Sequence, residues 1–294
     1  MMPLAMILAG QGAKVAGSDR SLDSGRLPAK FDALRALGID LFAQDGSGIV
    51  SPDQTVIASA AVEDTVPDMV RATELGCPRM TRAELNAALF NAAGISIGVA
   101  GTSGKSTVTG MIAWILHSLD GDPTVMNGAV MKNFVRPDAP FASALVGGDD
   151  FYVSEVDESD GSIALYTPQV AVLNNVSLDH KSLEELRTLF GDFAAKARTT
   201  IVNVGDAESA ALAMALDRSR TVTFAVEGDA DLSARNLTPE AFAIAFDLVS
   251  KDVTLPVRLA VPGPHNVANA LAPIGATADG AGSPATRGSS VSRP

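Results

Sequence analysis

The stretch that most restricts what this chain can fold into is ISIGVAGTSGKSTVTGMIAWILHSL, residues 95–119. A β-type run from Ile95 to Ala100 enters a glycine turn, and a helical pattern leaves it from Lys105 to about Leu119. Strand, glycine turn and helix in that order form a loop whose backbone amides converge on an anion, with the helix's N-terminal dipole behind them. The usual phosphate-loop pattern, G-x-x-x-x-G-K-[ST], asks for glycine five places before Gly104, and this chain has Val99 there. Gly101 and Gly104 still permit the turn. Lys105 can reach β- and γ-phosphates, and the hydroxyl of Ser106 or Thr107 can ligate magnesium. A plain glycine-containing turn with an exposed lysine accounts for fewer of these residues.

Short β-branched runs alternate with helical patterns along most of the chain, which predicts an α/β fold of βαβ units on a mainly parallel sheet. A helix near 2–12, strands at 14–19, 39–42, 54–60 and 77–80, and helices at 30–37, 66–75 and 81–91 outline a Rossmann-like domain over residues 1–90. It opens on a helix, without the strand and glycine-rich turn that begin such folds. Asp19 ends the first strand, where an acid often meets a ribose or a sugar; a capping or turn role for Ser18-Asp19 fits equally.

A second domain, 91–275, starts with the loop. Strands follow near 123–127, 150–156, 169–174 and 199–204, with helices at 182–197 and 206–217. Alternating patterns at 221–225, 231–236, 241–249 and 253–260 suit an antiparallel edge. The last helix signal covers 266–273. From Ala276 to Pro294 only Val291 exceeds alanine among the aliphatic residues, so this tail is expected to bury no face and to be disordered.

The 294 residues suffice for two such domains. A formal net charge of -12 argues against nucleic acid and anionic membrane as partners and favours a small, charge-neutralised ligand. The apolar start lacks the basic segment of a signal peptide, and no apolar run is long enough for a membrane span. The single cysteine, Cys77, forms no intrachain disulfide, which fits a reducing cytoplasm.

Two more strands end in polar residues. YVSEVDESD, Tyr152 to Asp160, closes with four acids within six residues. Alternation sets Val153, Glu155 and Asp157 on one face, with Ser154 and Val156 on the other. Carboxylates at a strand's end beside a phosphate loop suit magnesium, directly or through water. A solvated acidic turn is the ordinary alternative, weakened here by the uncharged run leading into the acids. VLNNVSLDH, Val172 to His180, would bring His180 to the same sheet edge; His117, within a helix, reads as structural.

Together GTSGKST, EVDESD, N-x-x-x-D-H and Pro262-Gly-Pro-His-Asn266, in this order and spacing, resemble the ATP-dependent Mur ligases over about residues 1–275. DESD is most similar to the members that act on UDP-N-acetylmuramate. The resemblance accounts for Val99, since the family loop is G-T-x-G-K-[ST]-[ST] with no glycine required at that place. It implies a P-loop-type central domain in which Gly101, Thr102, Ser103, Gly104, Lys105, Ser106 and Thr107 bind ATP. Lys105, Glu155 and His180 would be catalytic, with Ser106, Glu155 and His180 around Mg2+ ions. His265 and Asn266 would lie by the adenine, and Ser159 and Asp160 near the UDP-sugar, for which Asp19 is a further candidate. The implied reaction phosphorylates a substrate carboxylate to an acyl phosphate. L-alanine, or a peptide amine in the murein-peptide ligases, then displaces phosphate to leave an amide and ADP.

Three departures accompany the resemblance. The first strand and its glycine-rich turn do not precede Met1, Pro264 stands where the family has arginine, and only the small-residue tail follows where the family carries an amino-acid-binding domain. They imply a chain truncated at both ends that would bind ATP without completing ligation. Folylpolyglutamate and cyanophycin synthetases share the loop but not DESD. A small-molecule kinase predicts an arginine-rich lid, whereas Arg136, Arg187 and Arg198 are scattered. A non-catalytic ATP-binding module is the remaining alternative.

Overall fold

The structure, a computed structural model, describes residues 1–137, 139–178, 181–251 and 253–280. In chain order the first elements are α1 (Met2–Gly10), β1 (Ala16–Ser18), α2 (Arg20–Asp23), α3 (Pro28–Ala36), β2 (Asp40–Phe42), β3 (Val56–Ala58), α4 (Pro67–Leu75), β4 (Arg79–Thr81) and α5 (Arg82–Ala92). They are followed by β5 (Ile95–Ala100), α6 (Lys105–Ser118), β6 (Thr124–Met126), β7 (Ala144–Leu145), β8 (Phe151–Glu155), β9 (Val170–Leu173), α7 (Leu183–Lys196), β10 (Thr199–Asn203) and α8 (Ala207–Ala213). The last are β11 (Thr221–Val226), β12 (Leu232–Pro239), β13 (Ile244–Ser250), β14 (Val253–Leu259) and α9 (Pro264–Gly280). The chain divides into two compact units: Met1–Gly94 with Asp122–Tyr152, and Ile95–Gly121 with the chain from Val153 onward.

In the first unit, local chemistry sets the helix ends. Proline in the first turn opens α1, α3 and α4, where a missing N–H loses no hydrogen bond. Gly76, left-handed, ends α4, and Thr81 with Glu84 forms a capping box on α5. Strands β1 and β2 pair in parallel, as do β3 and β4. Phe31, Leu34 and Ile39 are buried with Met2, Met6 and Leu41 packed on them. The Tyr152 hydroxyl donates to Asn86 Oδ1 at 2.8 Å, and its ring meets Phe90 edge-on at 6.0 Å.

In the second unit the strands follow the order β14-β13-β12-β11-β10-β9-β5-β8, with β8 contributing the residues from Val153 onward. From β5 through β12 the neighbours β5/β9, β9/β10, β10/β11 and β11/β12 are all parallel. Strands β5 and β9 are buried almost throughout, as befits a parallel sheet covered on both faces. Among β11 to β14 the antiparallel pairs are β12/β13 and β13/β14, so the expected antiparallel edge is shorter than the sequence pattern suggests. Alternation reads the same in either direction, and β11 sits parallel to both its neighbours. Strand β14 ends this order with Val253 and Leu255 exposed and Pro256 and Arg258 within it.

Helix α9 runs through Pro273 and on to Gly280, past the point where the sequence pattern stops. Its packing explains the difference. Ala272, Ala276 and Thr277 are buried, and α9 lies against α6 and strands β9 to β12. A Cβ at Gly275 would come within 2.8 Å of Ile201 Cγ2, so small side chains here permit a close approach to the sheet. Residues 281–294, the rest of the expected tail, lie outside the described residues. We expect Gly275→Val to destabilise the fold by about 1–3 kcal/mol through overpacking, read as a lowered urea midpoint with unchanged slope.

Candidate functional site

Strands β8 and β9, neighbours in sequence, flank β5 on its two sides. The carboxyl end of β5 is therefore a switch point, where open parallel sheets form a ligand crevice. The expected loop occupies it. Val156 N–H donates to Val99 O and Asn174 N–H to Ala100 O, which aligns the ends of the three strands.

The loop's shape depends on glycine at two places. Gly101 has φ 135°, and a Cβ there would lie 3.0 Å from Asn175 O. Gly104, with φ 83°, precedes α6, and its Cβ would meet Asn174 Nδ2 and Asn269 Oδ1, each at 2.7 Å. The left-handed backbone and the lack of space both require glycine.

Asparagines at the end of β9 hold the loop. Asn175 Oδ1 accepts from Ser103 N–H at 2.8 Å and from the Thr102 hydroxyl at 2.9 Å. Asn174 and Asn175 both donate to Ser103 O, at 3.0 and 2.9 Å. Asn174 Nδ2 also donates to Asn269 Oδ1 of α9 at 2.9 Å, tying loop, strand and helix at one buried point. Ser177 N–H donates to Thr102 Oγ1. Asn175 is the asparagine of the N-x-x-x-D-H motif, whereas Asn174, Ser177 and Asn269 belong to no expected set. Their one signal is a pair of amides where a buried strand stops.

Lys105 begins α6, and its ammonium donates to Gly101 O at 2.7 Å and to both carboxylate oxygens of Glu158, at 3.0 and 3.2 Å. Ser106 Oγ donates to Glu155 Oε2 at 2.6 Å, which joins the first turn of α6 to the end of β8. Thr107 is exposed on the same turn. A hydroxyl beside a carboxylate is a hard-oxygen donor set that fits magnesium, an ion that keeps waters and takes its other ligands from phosphates. Among the described residues no group of three or more His, Cys, Asp or Glu side chains is assembled to hold a metal. His180 lies outside the described residues.

Of the remaining expected residues, His265 and Asn266 stand in the first turn of α9, one turn before Asn269. Asn266 Nδ2 donates to Pro262 O at 2.7 Å. Ser159 and Asp160 are exposed in the turn after β8, where Ser159 N–H and Oγ donate to Asp157 and Ser162 N–H donates to Asp160. Asp19 belongs to the first unit and caps α2 by accepting from Ser21 N–H at 2.7 Å, with Lys30 at 3.1 Å. Partial burial pushes the Asp19 carboxyl up, but the Ser21 amide and the Lys30 ammonium outweigh it and hold the group below the ordinary carboxylate range. His117 is exposed in the last turn of α6 beside Trp114.

A glycine loop clasped between a parallel strand and a helix N-terminus, with lysine, serine and carboxylate at its mouth, defines a phosphate-loop type of α/β protein. Comparison with known proteins narrows the class. Residues 99–277 match the Mur ligase middle domain and residues 1–93 the catalytic domain of the Mur ligase family. The chain belongs to the Mur ligase family. It is 38% identical over 288 residues to the UDP-N-acetylmuramate–L-alanine ligase of Streptomyces coelicolor, covering 95% of this chain and 60% of that protein. The UDP-N-acetylmuramate-alanine ligase structure from Thermotoga maritima superposes with a TM-score of 0.79 at 26% identity, over 95% of this chain and 62% of that one. The UDP-N-acetylmuramate:L-alanyl-gamma-D-glutamyl-meso-diaminopimelate ligase of Neisseria meningitides gives a TM-score of 0.78 at 25% identity, over 96% and 90%. The chain thus spans about 60% of the length of the curated relatives it matches.

For the loop itself, we expect Gly104→Ala to cost about 1–2 kcal/mol from the left-handed backbone alone, with more from displaced Asn174 and Asn269. Urea unfolding of the variant against the parent measures it.

Proposed function

We propose that this chain carries the nucleotide-binding machinery of an ATP-dependent ligase that joins L-alanine to UDP-N-acetylmuramate, forming ADP and phosphate. The observation that carries the reading is the Lys105, Ser106 and Glu155 cluster at the mouth of the loop, in a chain 38% identical to an alanine-adding ligase. The loop from Gly101 to Thr107 cradles the phosphates, chiefly through amides other than those of Thr102 and Ser103, which Asn175 engages, and the Lys105 ammonium neutralises charge on the γ-phosphoryl group as it transfers. Ser106 and Glu155, with His180, hold magnesium, which when bound supplies further charge neutralisation there. His265 and Asn266 orient the adenine, while Ser159, Asp160 and Asp19 serve the sugar nucleotide.

In the first step a carboxylate oxygen of the substrate attacks the γ-phosphorus and ADP leaves. In the second the amine nitrogen attacks the acyl carbon, inorganic phosphate leaves, and the nitrogen loses a proton. No nucleophilic side chain takes part, so the residues act by positioning and by charge. ATP and sugar nucleotide place this work in peptidoglycan-precursor synthesis in the cytoplasm. Among the described residues no helix is long and apolar enough to cross a membrane.

The alternative amine is a peptide, a reading favoured by the Neisseria ligase, 90% of whose chain this one covers. An ADP-release assay with UDP-N-acetylmuramate and either L-alanine or the tripeptide distinguishes the two. Joined to the amino-acid-binding domain of its relatives, the chain is expected to release ADP with alanine, and Lys105→Ala to reduce that release by about a hundredfold or more. Equal ADP binding by the parent and Lys105→Ala would overturn the assignment of the loop.

A further inference from the structure

Glu158 is 4% exposed, and its carboxylate grips the Lys105 ammonium through both oxygens. An ammonium has three donors. Here three acceptors meet them: two oxygens of Glu158 and the carbonyl of Gly101. Lys105 therefore has no donor to spare for a phosphate while this pair persists. The side chains of Lys105 and Glu158 are only 20% and 6% exposed, so water screens the pair weakly.

We propose that Glu158 stands in for the nucleotide's phosphates on Lys105 when the loop is empty, making nucleotide binding an exchange of one anion for another. The inference rests on the nucleotide-site reading and adds a residue that reading does not use. An unpaired lysine at the start of α6 would face both poor hydration and the positive end of the helix dipole. Glu158 removes that penalty and keeps the side chain folded over the loop, held also by Gly101. A nucleotide must then take Lys105 from a buried carboxylate and leave that carboxylate short of a partner, which weakens its net affinity. The exchange favours ligands whose clustered charge exceeds that of one carboxylate, as in a diphosphate or triphosphate.

The opposite role for Glu158, holding Lys105 ready for a phosphate, predicts the opposite sign. ADP and pyrophosphate binding, measured by calorimetry in EDTA to remove divalent cations, therefore decides between them. We expect Glu158→Gln to bind both ligands about tenfold more tightly than the parent. Glu158→Asp withdraws the carboxylate by one methylene and should tighten binding by a smaller factor. Its retained charge also makes it the test variant should the glutamine form fail to fold, as judged by circular dichroism. Unchanged or weaker binding in the folded variants overturns the exchange. Lys105→Ala, measured alongside, separates the two levels: loss of ADP binding there upholds the nucleotide site whatever Glu158 does, and unchanged binding sinks both.

Discussion

The loop depends on two asparagine side chains at the end of β9. A glycine turn that keeps most of its amides ready for an anion has few left to fix its own shape, so other groups must help. Asn174 and Asn175 do this from outside, accepting from Ser103 N–H and the Thr102 hydroxyl and donating to Ser103 O. The same Asn174 reaches Asn269, 8% exposed, so the clasp extends into α9. Asn203 Nδ2 in turn donates to Asn174 O at 2.9 Å, anchoring the clasp to β10. Three strand ends and two helices thus share one polar knot, whose Asn174–Asn269 bond is buried away from water while the Asn175 bonds lie at the exposed mouth of the loop.

Around that knot, charge is handled locally. The chain is acidic overall, yet the loop mouth pairs each group with a near neighbour of suitable kind: Lys105 with Glu158, and Ser106 with Glu155. Both acids come from the single segment that ends β8, so one strand supplies an ammonium's partner and a hydroxyl's partner three residues apart. Glu155 closes the strand, whereas Glu158 is carried back inward by the turn in which Gly161 N–H donates to Glu158 O.

What the sequence makes legible follows the range of the interaction. The strand, turn and first helical turn of the loop are written in consecutive residues, and the observed β5 and α6 begin where the pattern puts them. The resemblance extends that reading to family and site. The clasp is only half visible at this level: Asn175 falls in the N-x-x-x-D-H motif, but Asn174 and its partner Ser103 are 71 residues apart and an asparagine has no periodicity to betray its target. Glu158 stands 53 residues from Lys105, and nothing in DESD says which of its acids turns inward. Helix α9 is misjudged past Gly275 for a different reason. Alanine and glycine look too small to bury a face, but against the sheet at Ile201 and Leu232 their smallness is what lets the helix approach.

Strand β14 carries a consequence of its own. Among the described residues it is the final strand of its order, with one row of backbone groups left unpaired, and exposed Val253 and Leu255 would suit the addition of a foreign strand. Pro256 interrupts that row by withholding a donor, and Arg258, paired with Glu240 at 2.7 Å, sets a charge two residues further on. Among the described residues the rim of the sheet is thus a poor template for a foreign strand.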